Sequence, residues 1–108
     1  MNTPAVLTQY RAAVSELKAL RRQADALRGE GPGEAVSLLR RRENQLVQAV
    51  FAFEHLLDSI ENPRDRAVLR LFYGVGETDA AIADELRLSE RQIVRIRKAA
   101  VERLSFLP

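Results

Sequence analysis

The sequence feature that most constrains the fold is the stretch 78–104, where only a tight turn separates two short helical runs. Apolar residues recur three and four positions apart within each run, so that they fall on one helix face. Thr78 and Ser89 each precede a run, where a side-chain oxygen can accept from an unpaired backbone N–H. Ala83 is small where two crossing helices must approach closely. The stretch therefore predicts a helix-turn-helix motif whose inward positions are Ile82, Ala83, Leu86, Leu88, Ile93 and Ile96.

Composition excludes several kinds of site. The 108 residues contain no cysteine and a single histidine, His55, which excludes disulfides, thiolate metal sites and most histidine-based catalytic clusters. The chain also lacks a glycine-rich phosphate loop, a catalytic triad and an apolar run long enough to cross a membrane. We therefore expect a cytoplasmic protein that is not an enzyme, binds no cofactor or metal, and has no membrane partner.

The first part of the chain, residues 1–61, predicts two long helices. The first covers residues 3–28, with Pro4 in its opening turn. Three glycines and a proline within 29–33 end this helix, because such a run cannot continue it. The short connector predicts an antiparallel hairpin with a second helix over 34–60. The first helix carries an uninterrupted coiled-coil-like heptad seam of Val6, Tyr10, Ala13, Leu17, Leu20, Ala24 and Leu27.

The second helix has a matching seam with one charged member, Arg42. The other positions in this seam are Ala35, Leu39, Leu46, Ala49, Phe53, Leu56 and Ile60. Four apolar residues fall outside the seam and need another cover: Val47, Val50, Phe51 and Leu57. A second copy of the chain or the C-terminal helices can supply that cover. Because long heptad seams in small proteins usually pair, we expect a homodimer through residues 1–61; the alternative is a monomer with the hairpin packed on its own C-terminal part.

A third helix is predicted over 63–73, after a boundary at 61–62. Asn62 suits the N-cap and Pro63 the first helical position. Val68, Leu69, Phe72 and Tyr73 give this helix an apolar stripe, and the glycines at 74 and 76 are expected to end it. The fold class expected is all-α, with a helical hairpin over 1–61 that mediates oligomerisation and a three-helix module over 62–108.

Residues 61–104 resemble region 4 of bacterial sigma factors, a helix-turn-helix module that binds the −35 promoter element with its last helix. The resemblance lies in a preceding helix, a glycine-containing turn and the motifs T-x-x-x-I-A-x-x-L, L-S-x-x-x-I-x-x-I and K-A-x-x-x-L. Arg87 departs from the family, which usually has glycine in this turn, and at a positive φ it would cost about 1 kcal/mol. Nothing before residue 61 resembles the rest of a sigma factor. A helical hairpin ahead of a lone module instead resembles small phage and prophage transcriptional regulators.

The second helix of the motif carries the candidate DNA-binding residues. With Ile93 and Ile96 inward, its first residues are free to enter a major groove. Arginine can pair with guanine, glutamine with adenine, glutamate with cytosine, and valine can contact a thymine methyl. Arg97 and Lys98 follow as phosphate contacts, and Ser89 can donate to a phosphate. The predicted DNA-binding set is Ser89, Glu90, Arg91, Gln92, Val94, Arg95, Arg97 and Lys98; the resemblance implies −35-element contacts at Glu90, Arg91, Val94 and Arg95.

The distribution of charge agrees with this set. Lys and Arg balance Asp and Glu at 8 each over residues 1–61, whereas residues 89–104 carry 5 basic and 2 acidic side chains.

Three functions remain open. The first is a sequence-specific transcriptional regulator of double-stranded DNA, of phage or prophage origin. The second is an adaptor that binds RNA polymerase through the helix 63–73, and the third is a phage DNA-packaging protein of the small-terminase kind.

Overall fold

A computed structural model describes residues 3–27 and 33–104 of the chain. These residues form five α-helices and one π-helix, with no strand among them, which confirms the predicted all-α class. The predicted helix bounds that fall on these residues agree within two residues, and the predicted end of the first helix at 28 lies outside them. The connector predicted at 29–33 lies outside the described residues apart from Gly33, which begins the second helix. The α-helices are α1 (Ala5–Leu27), α2 (Gly33–Asp58), α3 (Pro63–Leu69), α4 (Asp79–Leu86) and α5 (Glu90–Leu104).

Helices α1 and α2 lie side by side in opposite directions. Tyr10, near the start of α1, stacks on Phe53, near the end of α2, with ring centroids 3.9 Å apart. Further along α1, Glu16 accepts two hydrogen bonds from Arg42, each 2.7 Å long. The apolar cluster between the helices contains the buried residues Ala13, Leu17, Leu20 and Leu46. Arg42, the charged member of the seam, therefore lies at the edge of the contact and reaches across to α1.

A second apolar cluster joins the base of the two long helices to the C-terminal helices. Leu57, which lies outside the predicted seam, is fully buried here, so the chain's own C-terminal helices cover it. Leu7 is also buried, although the heptad pattern had selected its neighbour Val6. This cluster, which we call the basal cluster, runs across the predicted boundary at residue 61. Its buried members are Leu7, Phe53, Leu57, Leu69, Ala100, Val101 and Leu104.

The third helical segment continues two residues past its predicted end at Tyr73 and changes type on the way. Helix α3 passes directly into a π-helix, Arg70–Val75, so Gly74 and Val75 lie within helical structure. The helix ends at Gly76, whose φ of 89° is open to glycine and strained for other residues. Gly74 lies within this helix, and the Phe53 ring packs beside it, 3.4 Å from where a Cβ would stand. The apolar stripe predicted for this helix is accordingly divided, with Tyr73 against the basal cluster and Phe72 against the next one.

The third cluster lies between α3, α4 and α5. All six inward positions predicted for the helix-turn-helix belong to it, and Ile82 and Ile93 are fully buried. Local capping supports the helix starts, because Asn62 accepts from the backbone N–H groups of Arg64 and Asp65, and Thr78 accepts from that of Ala81. Among the described residues, no helix combines the length and apolar character that crossing a membrane requires.

Candidate nucleic-acid interface

Helix α5 begins with a reciprocal cap that fixes two of the predicted site residues. The Ser89 backbone N–H donates to the Gln92 side-chain carbonyl at 2.8 Å, and the Gln92 backbone N–H donates to the Ser89 hydroxyl at 3.1 Å. This is a capping box, which satisfies two backbone donors at a helix start. Ser89 and Gln92 therefore define where α5 begins, and each has one side-chain oxygen committed to that task.

The exposed face of α5 carries a row of basic side chains. Arg91, Arg95 and Lys98 are exposed and follow each other at spacings of four and three, so they lie on one side of the helix. The opposite side buries Ile93 and Ala100. Glu90 is exposed beside the row and Val94 is half-buried at its edge. The structure thus brings five predicted site residues onto one accessible surface, which we call the α5 surface: Glu90, Arg91, Val94, Arg95 and Lys98.

Arg97 does not belong to the α5 surface. Its Nε and Nη2 donate to the two carboxylate oxygens of Asp79 at 3.1 and 2.8 Å, and its guanidinium lies 4.1 Å from the centre of the Phe72 ring. Both members of the ion pair are 17% exposed. The hydrogen bonds to Asp79 raise the pKa of Arg97 above its usual range. This side chain joins three helical elements, and two of its guanidinium nitrogens are engaged within the molecule.

A periodicity signal for this position was present in the sequence. Arg97 is four residues after Ile93 and four before Val101, both of which are buried. A residue at that spacing lies on the inward face of the helix whatever its charge. Assigning Arg97 to phosphate followed its charge, whereas helical geometry favoured the core face.

Other basic residues of the C-terminal module have partners within the molecule. Arg103 donates to Asp65 at 3.0 Å, Arg70 pairs with Glu54 at 2.9 Å, and Arg66 donates to the Ile60 carbonyl. Arg64 approaches Asp65 at 3.8 Å. Within the described part of the chain, four exposed basic side chains of the module have no acidic group within 4.0 Å: Arg87, Arg91, Arg95 and Lys98. The unneutralised charge of the module is thus concentrated on α5 and the turn before it.

Arg87 adopts the left-handed conformation, in which a residue other than glycine is strained. Its φ and ψ are 56° and 45°, and its backbone N–H donates to the Ala83 carbonyl to end α4. It is the one non-glycine residue with positive φ in the described chain. Its exposed guanidinium adds to the positive charge beside α5, a contribution that the sequence analysis did not assign.

Glu77, which precedes α4, and Glu85, within α4, are two neighbouring carboxylates. Glu85 hydrogen bonds to Glu77 and, together with burial, raises the pKa of Glu77 above its usual range. Two neighbouring carboxylates resist simultaneous ionisation because like charges repel each other. Among the described residues, no group of three or more His, Cys, Asp or Glu side chains is arranged to hold a metal ion.

Comparison of the chain with protein-family models gives no match, and neither do comparisons with curated proteins and with solved structures. What the α5 surface binds is therefore inferred from the chemistry of its own residues.

Proposed function

We propose that the protein is a sequence-specific DNA-binding transcriptional regulator that inserts the start of α5 into the major groove. The supporting observation is that Arg91, Arg95 and Lys98 are exposed and have no acidic partner in the described chain. By contrast, Arg70, Arg97 and Arg103 each pair with a carboxylate. Duplex DNA is the polyanion whose groove is wide enough to admit a helix. The resemblance of residues 61–104 to sigma factor region 4 favours the same function.

Within this proposal, position along α5 assigns the roles. Arg91 and Arg95 lie in the first two turns, where bidentate hydrogen bonds to guanine are within reach of a groove-bound helix. Glu90 and Val94 flank them and supply a cytosine acceptor and an apolar contact for a thymine methyl. Lys98 lies further along and contacts phosphate, which positions the helix without reading sequence.

The capping box narrows the predicted set. Because the Gln92 carbonyl already accepts from Ser89, one of its two lone pairs is used and the capping box fixes the orientation of the side chain. A bidentate contact to adenine needs both the donor and the acceptor. We therefore assign Gln92 and Ser89 chiefly to holding the start of α5, and Arg91 and Arg95 to base readout.

Selection of bound duplexes from a random pool, followed by sequencing, tests the proposal. We expect enrichment of a short motif with guanines at fixed positions, and loss of that motif with Arg91→Ala and Arg95→Ala. Arg64→Ala serves as the control, because it removes one exposed charge at the start of α3, beside Asp65, whose other partner Arg103 lies in the last turn of α5. A pool without enrichment, together with retention of the protein by RNA polymerase, would favour the adaptor function instead.

We further propose that the regulator is a homodimer through the α1–α2 pair. The two heptad seams pack on each other and Leu57 is covered, so the surface left for a second copy lies elsewhere on α2. Phe51 is 54% exposed and Val47, four residues earlier, is half-buried. Light scattering of the full chain and of its Phe51→Ser variant distinguishes a monomer, a dimer and a larger ring. A dimer that Phe51→Ser dissociates supports the proposal, a monomer at tens of micromolar contradicts it, and a large ring favours the packaging function.

A further inference from the structure

One face of α1 contacts the C-terminal module at its start. Leu7 is 1% exposed and packs in the basal cluster against residues of α2, α3 and α5. One turn later, the Arg11 guanidinium lies against Gly76, and a Cβ at that glycine would overlap it. Gly76 is two residues before Thr78, the cap of α4. The Leu7 and Arg11 side of α1 therefore faces the module.

The same face of α1 continues beyond the module with two more basic residues. Lys18 and Arg22 are seven and eleven residues after Arg11, close to two and three whole turns of an α-helix, at about 3.6 residues per turn. Both are exposed. Arg11, Lys18 and Arg22 thus form a row along one side of α1, which we call the α1 row.

The α1 row is not neutralised within the described chain. None of its three members has an acidic group within 4.0 Å there, although Arg21 pairs with Glu43 and Arg42 with Glu16. Asp25 is three residues after Arg22 and forms no ion pair with it. Lys18 and Arg22 are four residues apart, where like charges on a helix repel each other. An external polyanion would relieve that repulsion.

We propose, building on the proposed function, that the α1 row binds the phosphate backbone of DNA outside the segment read by α5. In helix-turn-helix proteins the first helix of the motif crosses the DNA backbone, and Arg11 lies beside the segment that leads into α4, the corresponding helix. From Arg11 to Arg22 the row extends about 16 Å along α1. That length corresponds to about five base pairs along one strand. The long helix α1 is then part of the DNA-binding surface as well as a packing partner of α2.

The salt dependence of binding to mixed-sequence duplexes tests this proposal. If the α1 row binds outside the segment read by α5, a short duplex of about one helical turn should reach only the α5 surface, and one of about two and a half turns should also reach the α1 row. With the long duplex, Lys18→Ala and Arg22→Ala should each lower the slope of log affinity against log salt by about 0.9. With the short duplex, both variants should match the wild type.

Arg41→Ala is the matched control, because it also removes one exposed charge from the long helices. Arg41 precedes Leu57 by 16 residues, about four and a half turns, so it lies on the side of α2 away from the module. Its slope should equal that of the wild type on both duplexes. Lys18→Gln, which retains most of the side-chain length, should repeat the effect of Lys18→Ala.

Two results would overturn the inference alone. One is an unchanged slope for Lys18→Ala and Arg22→Ala on the long duplex, and the other is an equal loss for Arg41→Ala. A wild type that binds neither duplex would overturn the proposed function as well. Binding that Arg91→Ala weakens on both duplexes, without the length-dependent losses at Lys18 and Arg22, would retain the function and remove the α1 row from it.

Discussion

Two arginine–carboxylate pairs with similar hydrogen-bond geometry join helices in the two regions of the molecule. Arg42 donates twice to Glu16 between α1 and α2, and Arg97 donates twice to Asp79 between α5 and α4. The side chains of the first pair are 47% exposed and those of the second 17% exposed. The second pair also has an aromatic ring, Phe72, against the guanidinium. The distances are alike, but only the module pair is largely shielded from water.

The two regions also differ in how closely they are packed. Along the packed face of α1 burial decreases away from the module: Leu7 is 1% exposed, Leu20 is 8% exposed and Ala24 is exposed. In the module, Val68 and Ile82 are fully buried around the Arg97 contact. Water screens the attraction between two exposed charges, whereas a pair that close packing shields from water keeps more of its attraction. We therefore expect the contribution of each pair to the free energy of unfolding to follow how well it is shielded from water, and not the length of its hydrogen bonds.

The largest expected effect is at Phe53, which lies where the two regions meet. Phe53→Ala should lower the free energy of unfolding by about 3–5 kcal/mol, because it removes a fully buried ring that stacks on Tyr10 and packs against Gly74. Urea denaturation followed by amide NMR measures the loss and reports both regions separately. Leu38→Ala, at an exposed site of the same helix, is the control. Loss of the α1–α2 signals while the module stays folded would mean that the regions are independent.

The two ion pairs can be compared directly by double-mutant cycles. The cycle of Arg97→Met with Asp79→Asn should give a coupling free energy of about 1–3 kcal/mol, because the hydrogen bonds are charged and largely shielded. The cycle of Arg42→Met with Glu16→Gln should give no resolvable coupling, since water competes for both groups. Thermal unfolding at low and high salt measures both cycles. Equal couplings would contradict the role given to occlusion.

Features that depend on neighbouring residues in the chain could be predicted from sequence. Asn62 and Thr78 cap their helices because a side-chain oxygen needs only the next turn's backbone N–H groups. The inward positions of α4 and α5 follow from helical periodicity, which depends on spacing alone. The same holds for the exposed members of the α5 surface, which are the residues left over when the inward positions are assigned.

Features that depend on distant packing could not be predicted in this way. The burial of Leu7 depends on residues of α2, α3 and α5 that meet it in one cluster, and the Phe53 ring that lies beside Gly74 comes from a different helix. Arg97 combines both cases. Its inward position was readable from spacing, but its partners, Asp79 and Phe72, are 18 and 25 residues away in sequence.

The unpaired charges of the α5 surface lead to a prediction about DNA affinity. Arg91→Ala should cost about 1–3 kcal/mol on the selected site and relax the preference at one base pair, because a bidentate contact is lost. Lys98→Ala should weaken all sequences alike and lower the salt slope by about one unit, because a phosphate contact carries no sequence information. Fluorescence anisotropy on the selected site and on a scrambled site measures both. A sequence-independent loss of the same size for both variants would remove base readout from Arg91.

The smallest expected effect concerns the strained turn before α5. Arg87→Gly should raise the free energy of unfolding by about 0.5–1 kcal/mol, because glycine adopts the left-handed conformation without the Cβ clash that arginine suffers there. The gain stays small because glycine also has more freedom to lose from the unfolded chain.

Arg87→Ala separates conformation from charge: it removes the guanidinium but keeps the strain, so its stability should stay near that of the wild type. Thermal unfolding of the three proteins decides the matter. If Arg87→Ala were as stable as Arg87→Gly, charge repulsion beside α5 would be the source of the cost. The two variants should also weaken DNA binding equally if the Arg87 guanidinium contributes to the positive surface, since both remove it.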